Sequence, residues 1–156
     1  MSIDWNALRI WDGSQHTAFE ELCCQLARHE DIPHGLEFVR KGTPDAGVEC
    51  YWKLKNEDEW GWQSKFFTKT PEATQWKELD ESITTVLRKH PKLKKYYICI
   101  PLDRADPRIE KQKWFMDKWD EKVALWKKQA QDCGMEVDFE YWGTSEIFDR
   151  LSKEEH

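Results

Sequence analysis

Val48-Glu49-Cys50-Tyr51-Trp52-Lys53-Leu54, then Lys55-Asn56-Glu57-Asp58, then Trp60-Gly61-Trp62-Gln63-Ser64-Lys65-Phe66-Phe67: two aromatic-rich runs on either side of a polar turn predict a hairpin of two antiparallel strands. Upstream, Leu36 to Arg40 reads as another strand, set off by Gly42-Thr43-Pro44-Asp45-Ala46-Gly47, which precludes helix. Before it, residues 14 to 29 place Phe19, Leu22, Cys23 and Leu26 on one helical stripe, with Ser14 as N-cap. After the hairpin, Trp76, Leu79, Ile83, Val86 and Leu87 recur at helical spacing over 73 to 90 and stop at Pro91. Tyr96 to Ile100 suits a strand buried on both faces. A long helix over 108 to 132, a strand over 137 to 141 and a closing helix capped by Thr144 or Ser145 complete the order α, three β, α, β, α, β, α.

At 156 residues the chain is one domain's worth, with residues 1 to 13 as an N-terminal arm. It is 39 % hydrophobic and carries ten Trp, too apolar and aromatic for disorder. No run reaches the ~20 apolar residues of a membrane span, and no secretory signal opens the chain, so a cytoplasmic location without membrane partners is expected. Five Cys in neither CxxC spacing nor an even framework read as reduced, mostly buried thiols. The net charge of −6 argues against nucleic acid only if charge is evenly spread, so the clustering of Lys and Arg decides.

Residues 45 to 65 carry the chemistry. On alternating strands, Asp45, Gly47 and Glu49 share one face of the second strand, opposite Val48 and Cys50, and Gln63 and Lys65 share a face of the third. Folding the hairpin sets Glu49 roughly opposite Gln63 and Asp45 just beyond Lys65. Asp45 and Glu49 stand ~13 Å apart on a straight strand, too far to share a metal ion without a bend at Gly47. Either acid suits the role. On the first helix Glu20 lies at the edge of the apolar stripe, where it reaches a sheet-borne site, and Glu21 is read as solvated. Hard oxygen donors beside an ammonium suit Mg²⁺-assisted hydrolysis of a phosphodiester.

The order αβββαβ, with an acid, a hairpin and Gln63-Ser64-Lys65, resembles the PD-(D/E)xK, or restriction-endonuclease-like, nucleases. Phe19-Glu20, Gly42-Thr43-Pro44-Asp45-Ala46-Gly47-Val48-Glu49 and Gln63-Ser64-Lys65 are similar to the FE, GxxDxGVD and QxK pattern of the Mrr-like branch. Trp11-Asp12-Gly13-Ser14-Gln15 and Pro44 to Trp52 further resemble the N-terminal nuclease effectors of bacterial STAND-type antiphage ATPases of the Avs kind. The motif match covers residues 19 to about 67, and Glu49 and Gln63 depart from the usual acids.

The resemblance implies an α/β fold: a restriction-endonuclease-like core with a mixed central sheet flanked by helices, extended by the long helix, a further strand and the C-terminal helix. It implies a single nuclease domain cut from a larger protein and acting on double-stranded DNA. Glu20, Asp45, Glu49 and Gln63 would bind Mg²⁺, with Mn²⁺ able to substitute, and Asp45, Glu49, Gln63 and Lys65 would be catalytic, Lys65 serving the attacking water. It also implies a dimer or tetramer assembled by the sensor.

Two basic clusters, Arg40-Lys41 and Arg88, Lys89, Lys92, Lys94 and Lys95, are candidates for phosphate contact, as a helix C-terminus and a solvated turn would also explain. Arg104 and Arg108 allow the same two readings. Trp76, Trp119 and Trp126 fall on apolar stripes and are expected in the core, whereas Trp5, Trp11 and Trp114 are left for a partner interface. The competing expectation is a catalytically inactive nuclease-fold module for nucleic-acid binding or oligomerisation.

Overall fold

The computed structural model of the chain describes residues 15–45, 47–103 and 110–154, with the side chains of 42–45, 110–114 and 154 left aside. The elements follow the expected order: α1 Gln15–Arg28, β1 Gly35–Asp45, β2 Val48–Leu54, β3 Glu59–Ser64, α2 Ala73–Lys89, β4 Leu93–Cys99, α3 Glu110–Asp132, β5 Asp138–Trp142 and α4 Thr144–Glu154. The expectations resting on Ser14, Trp5, Trp11, Trp114, Arg104 and Arg108 lie outside the described residues or side chains.

The five strands form one mixed sheet in the order β1-β2-β3-β4-β5, antiparallel through β3 and parallel from β3 to β5. The βαβ connection through α2 explains the parallel half: the helix returns the chain to the end of the sheet where β3 began. A capping box formed by Glu72 and Gln75 starts α2, and His90 follows its last turn.

Each sheet face buries its own apolar cluster. On one side, Leu79, Ile83 and Val86 of α2 and Phe115, Trp119 and Trp126 of α3 cover Tyr96, Ile98, Phe139 and Tyr141. On the other, Phe19, Cys23, Leu26 and Ala27 of α1 and Ile147 of α4 cover Cys50, Trp62, Tyr97, Cys99 and Trp142. The aromatic excess is structural on both sides: Trp62 stacks on Tyr97 with centroids 4.4 Å apart, and Trp76, Trp119 and Trp126 are buried as expected. Trp126 Nε1 donates to Asp80 at 2.9 Å and the half-buried Trp52 Nε1 to the Ala27 carbonyl at 2.8 Å, whereas the buried Trp62 Nε1 finds no acceptor among the described residues.

Cys23, Cys24, Cys50 and Cys99 are buried free thiols, and Cys133 is exposed. Among the described residues no helix is long and apolar enough to cross a membrane.

Two sequence expectations about the hairpin change. The chain from Leu36 does not end at Arg40 but continues as β1 to Asp45, which pairs with Val48. Asp45 therefore belongs to the first strand, across a tight turn from β2, and the ~13 Å estimate for a straight strand no longer separates it from Glu49. Its side chain lies outside the described residues. Gly47 makes the turn at φ 83°, and a Cβ there would stand 2.5 Å from the Ser82 carbonyl oxygen of α2. Secondly, Val48 joins the α2–α3 core while Cys50 joins the α1–α4 core, so strict alternation fails at Glu49 between them. The last β2–β3 pair is Cys50 with Trp62, and the chain twists free of its neighbour just there.

Candidate active site

The departure of β2 from β3 is what builds the site. Continuing the register would set Ser64 against Val48, yet the Ser64 amide donates instead to Glu49 Oε2 at 2.8 Å. The Glu49 carboxylate thus takes the place of a ladder acceptor and is fixed at the end of the sheet. Glu20 of α1 and Lys65, one residue beyond β3, are both near enough to act on its charge. Lys65 is held by its own amide, which donates to the Cys99 carbonyl at 2.9 Å and prolongs the parallel ladder past Ser64. Phe19 packs on Phe66 with centroids 5.7 Å apart, clamping α1 to the segment that carries Lys65. Adjacent residues of two elements, Phe19-Glu20 and Lys65-Phe66, therefore fasten the site and furnish it together.

The electrostatics follow from this burial. Glu49 is pushed up to about 8, first by removal from water and also by the Glu20 carboxylate, while the Ser64 amide and the Lys65 ammonium pull the other way. Beneath it the cysteines form an apolar floor. Burial pushes the Cys23 and Cys50 thiols well up, aided by hydrogen bonds to Cys99 and Cys24 respectively. Above it the site opens: the Glu20 side chain is 26 % exposed and meets His16 Nε2 at 3.0 Å from its Oε1. His16 was missed in the sequence, although its i, i+4 spacing from Glu20 on a helix is the signal that could have found it.

Gln63 is buried, and its Nε2 makes a long hydrogen bond of 3.4 Å to the Ser64 carbonyl. Glu21 is not simply solvated: it accepts hydrogen bonds from Gln25 and from Arg40, which hold its carboxyl below the usual range. Arg40 is thereby tied to α1 at the flank of the site, and Lys41 lies with its ammonium 5.6 Å from the Tyr51 ring centre.

The second basic cluster is placed elsewhere. Because β4 runs parallel to β3, Lys95 pairs with Trp60 near the start of β3, whereas Cys99 pairs with Ser64 at its end. Lys92, Lys94, Lys95 and the Arg88-Lys89 turn of α2 consequently lie at the opposite end of the sheet, ~13 to 16 Å of strand away from Lys65. Lys95 there sits 4.6 Å over the Trp60 ring.

The donor set suits a hard divalent cation more than zinc. Among the described residues no group of three or more His, Cys, Asp or Glu side chains is placed to hold a metal ion. Mg²⁺ characteristically uses one or two carboxylates and keeps several waters, and Glu49 beside Glu20 offers such a pair, with one Glu49 oxygen already oriented by the Ser64 amide. Compared with protein-family models and with curated proteins, the chain matches none.

Proposed function

We propose that the chain is a Mg²⁺-dependent endonuclease domain that hydrolyses phosphodiester bonds of double-stranded DNA, built on a restriction-endonuclease-like core. On this reading it is an effector of the kind carried by bacterial STAND-type defence ATPases. The observation that carries the reading is the convergence, at the one place where β2 and β3 part, of Glu49, Glu20 and Lys65. Three residues from a helix, a strand start and a strand end have no structural need to meet, and burying a carboxylate beside another is costly unless a cation is part of the site.

Glu49 and Glu20 would hold the ion. A bound Mg²⁺ supplies Lewis acidity toward a phosphate oxygen and lowers the pKa of its waters. Lys65, fixed through its amide to Cys99, would supply an ammonium to orient the attacking water and to offset charge building on the phosphorus. Glu49, anchored by Ser64, keeps its carboxylate from turning away. Arg40 and Lys41 flank this end of the sheet and suit contact with the backbone of a duplex, without reading its bases.

Relaxation of supercoiled plasmid with Mg²⁺, and its absence with EDTA, tests the reading. Lys65→Ala is expected to abolish cleavage with an unchanged circular dichroism spectrum. Cleavage at the wild-type rate by that variant would overturn this account of the site, and no divalent-dependent nicking by wild type even as a forced dimer favours the inactive binding module instead.

A further inference from the structure

β1 is an eleven-residue strand at the edge of the sheet, bonded to β2 on one side only among the described residues. Such an edge is a template for another strand, and proteins usually keep exposed edges short. Between register irregularities at Gly35–Glu37 and Arg40–Asp45, its side chains alternate. Phe38 packs on Trp52 and Arg40 reaches Glu21 on the α1 side, while Lys41 sits over Tyr51 on the other, which puts Glu37 and Val39 with Lys41. Leu36, 62 % exposed, stands at the start of the strand.

We propose that two copies of this chain pair antiparallel through β1, about a two-fold axis at Val39, into one continuous ten-stranded sheet. Symmetry sharply limits the choices. A two-fold relating antiparallel neighbours in one sheet runs perpendicular to it and must pass through a residue position, so that facing residues share a side. An axis at Phe38 faces Glu37 with Val39 and Leu36 with Arg40, with no charge pair. An axis at Arg40 or Lys41 sets that cation against itself. Only the axis at Val39 faces Glu37 of each copy with Lys41 of the other, twice by symmetry, and opposes no like charges. It also lays Arg40 against Phe38 on the α1 side.

The geometry has a consequence that rests on the nuclease reading. Glu49 lies one strand inward and about two residues along from Val39, since Arg40 pairs with Cys50. Three strand spacings and about four residues of offset then separate the two Glu49 positions by ~20 Å, both on the same side of the sheet. That is the scale of a DNA duplex, whose major groove is ~12 Å wide. Paired sites would thus address both strands, and the dimer would yield linear rather than nicked plasmid.

The pairing is tested without reference to activity. Strand pairing alone makes a small contact, typical of weak association, so a covalent trap is the suitable readout. In a Cys133→Ser background, Val39→Cys is expected to form a disulfide-linked dimer under mild oxidation, and Leu36→Cys, off the axis, is not. Sedimentation at high concentration should show wild-type dimer, at least tenfold weaker association for Glu37→Lys, and recovery in Glu37→Lys/Lys41→Glu. No crosslink at Val39→Cys in a folded protein, equal crosslinking at Leu36→Cys, or association indifferent to Glu37→Lys would overturn the proposal. A dimer without DNA cleavage leaves it standing and counts against the nuclease reading alone.

Discussion

Replacing Glu49 with Gln is expected to make the metal-free protein more stable, by an amount that depends on pH. The folded carboxyl ionises at about 8 against an ordinary value of 4.5, and burial is the first cause. Below the ordinary value Glu49 is protonated in both states and contributes no pH dependence. As the pH rises the unfolded chain releases its proton first, so the unfolded state gains and the native state loses stability until Glu49 itself ionises near 8.

At ~1.4 kcal/mol per pH unit, the interval amounts to ~5 kcal/mol as an upper figure. Gln keeps an oxygen for the Ser64 amide and the shape of the side chain, but carries no charge to bury. Urea unfolding followed by Trp fluorescence in EDTA measures the difference between wild type and variant. It should be near zero at about pH 4.5 and reach several kcal/mol in favour of Glu49→Gln at about pH 8.5. Saturating Mg²⁺ should shrink that gap by stabilising wild type alone. A variant less stable than wild type at alkaline pH, or a gap that does not change with pH, would refute the electrostatic account of the site.

Other perturbations test the parts around it. Gly47→Ala forces a Cβ against Ser82 and an unfavourable φ, and should cost at least ~2 kcal/mol in the same unfolding assay. Arg150→Ala removes the paired hydrogen bonds to Glu30 and the contact with Trp142 that tie α4 to the turn after α1 and to β5. A loss of ~1 to 3 kcal/mol is expected, read as a lower unfolding midpoint. Lys92→Ala/Lys94→Ala should leave plasmid cleavage within about twofold, because those charges lie beyond a Debye length of ~8 Å from Lys65, whereas Lys41→Ala should weaken DNA binding and flatten its salt dependence.

The parts of the molecule set by local periodicity were legible in the sequence. The stripe of Phe19, Cys23 and Leu26 defines α1, the turn at Lys55 to Asp58 sets the hairpin register, and that register brings Glu49 to the end of β3. What periodicity could not supply was the departure from it. A turn with a left-handed Gly47 packed against α2 rotates Val48 and Cys50 onto different faces, a tertiary constraint with no local signature beyond the glycine. The same departure explains why Glu49 found the Ser64 amide rather than Gln63.

The ion pair of Glu21 with Arg40 joins residues nineteen apart and depends on how α1 crosses the sheet. The position of the second basic cluster was legible from connectivity alone. A helix between parallel strands always returns the chain to the starting end of the sheet, so a cluster at the α2–β4 junction cannot adjoin the end of β3.

The most direct measurement is a crystal structure of the protein soaked in Mn²⁺, with anomalous differences locating the ion. The account predicts a peak within coordinating distance of both Glu49 and Glu20, on the side facing Lys65, and its loss in Glu49→Gln. A peak elsewhere with none between these two carboxylates, or none at millimolar Mn²⁺, would contradict it.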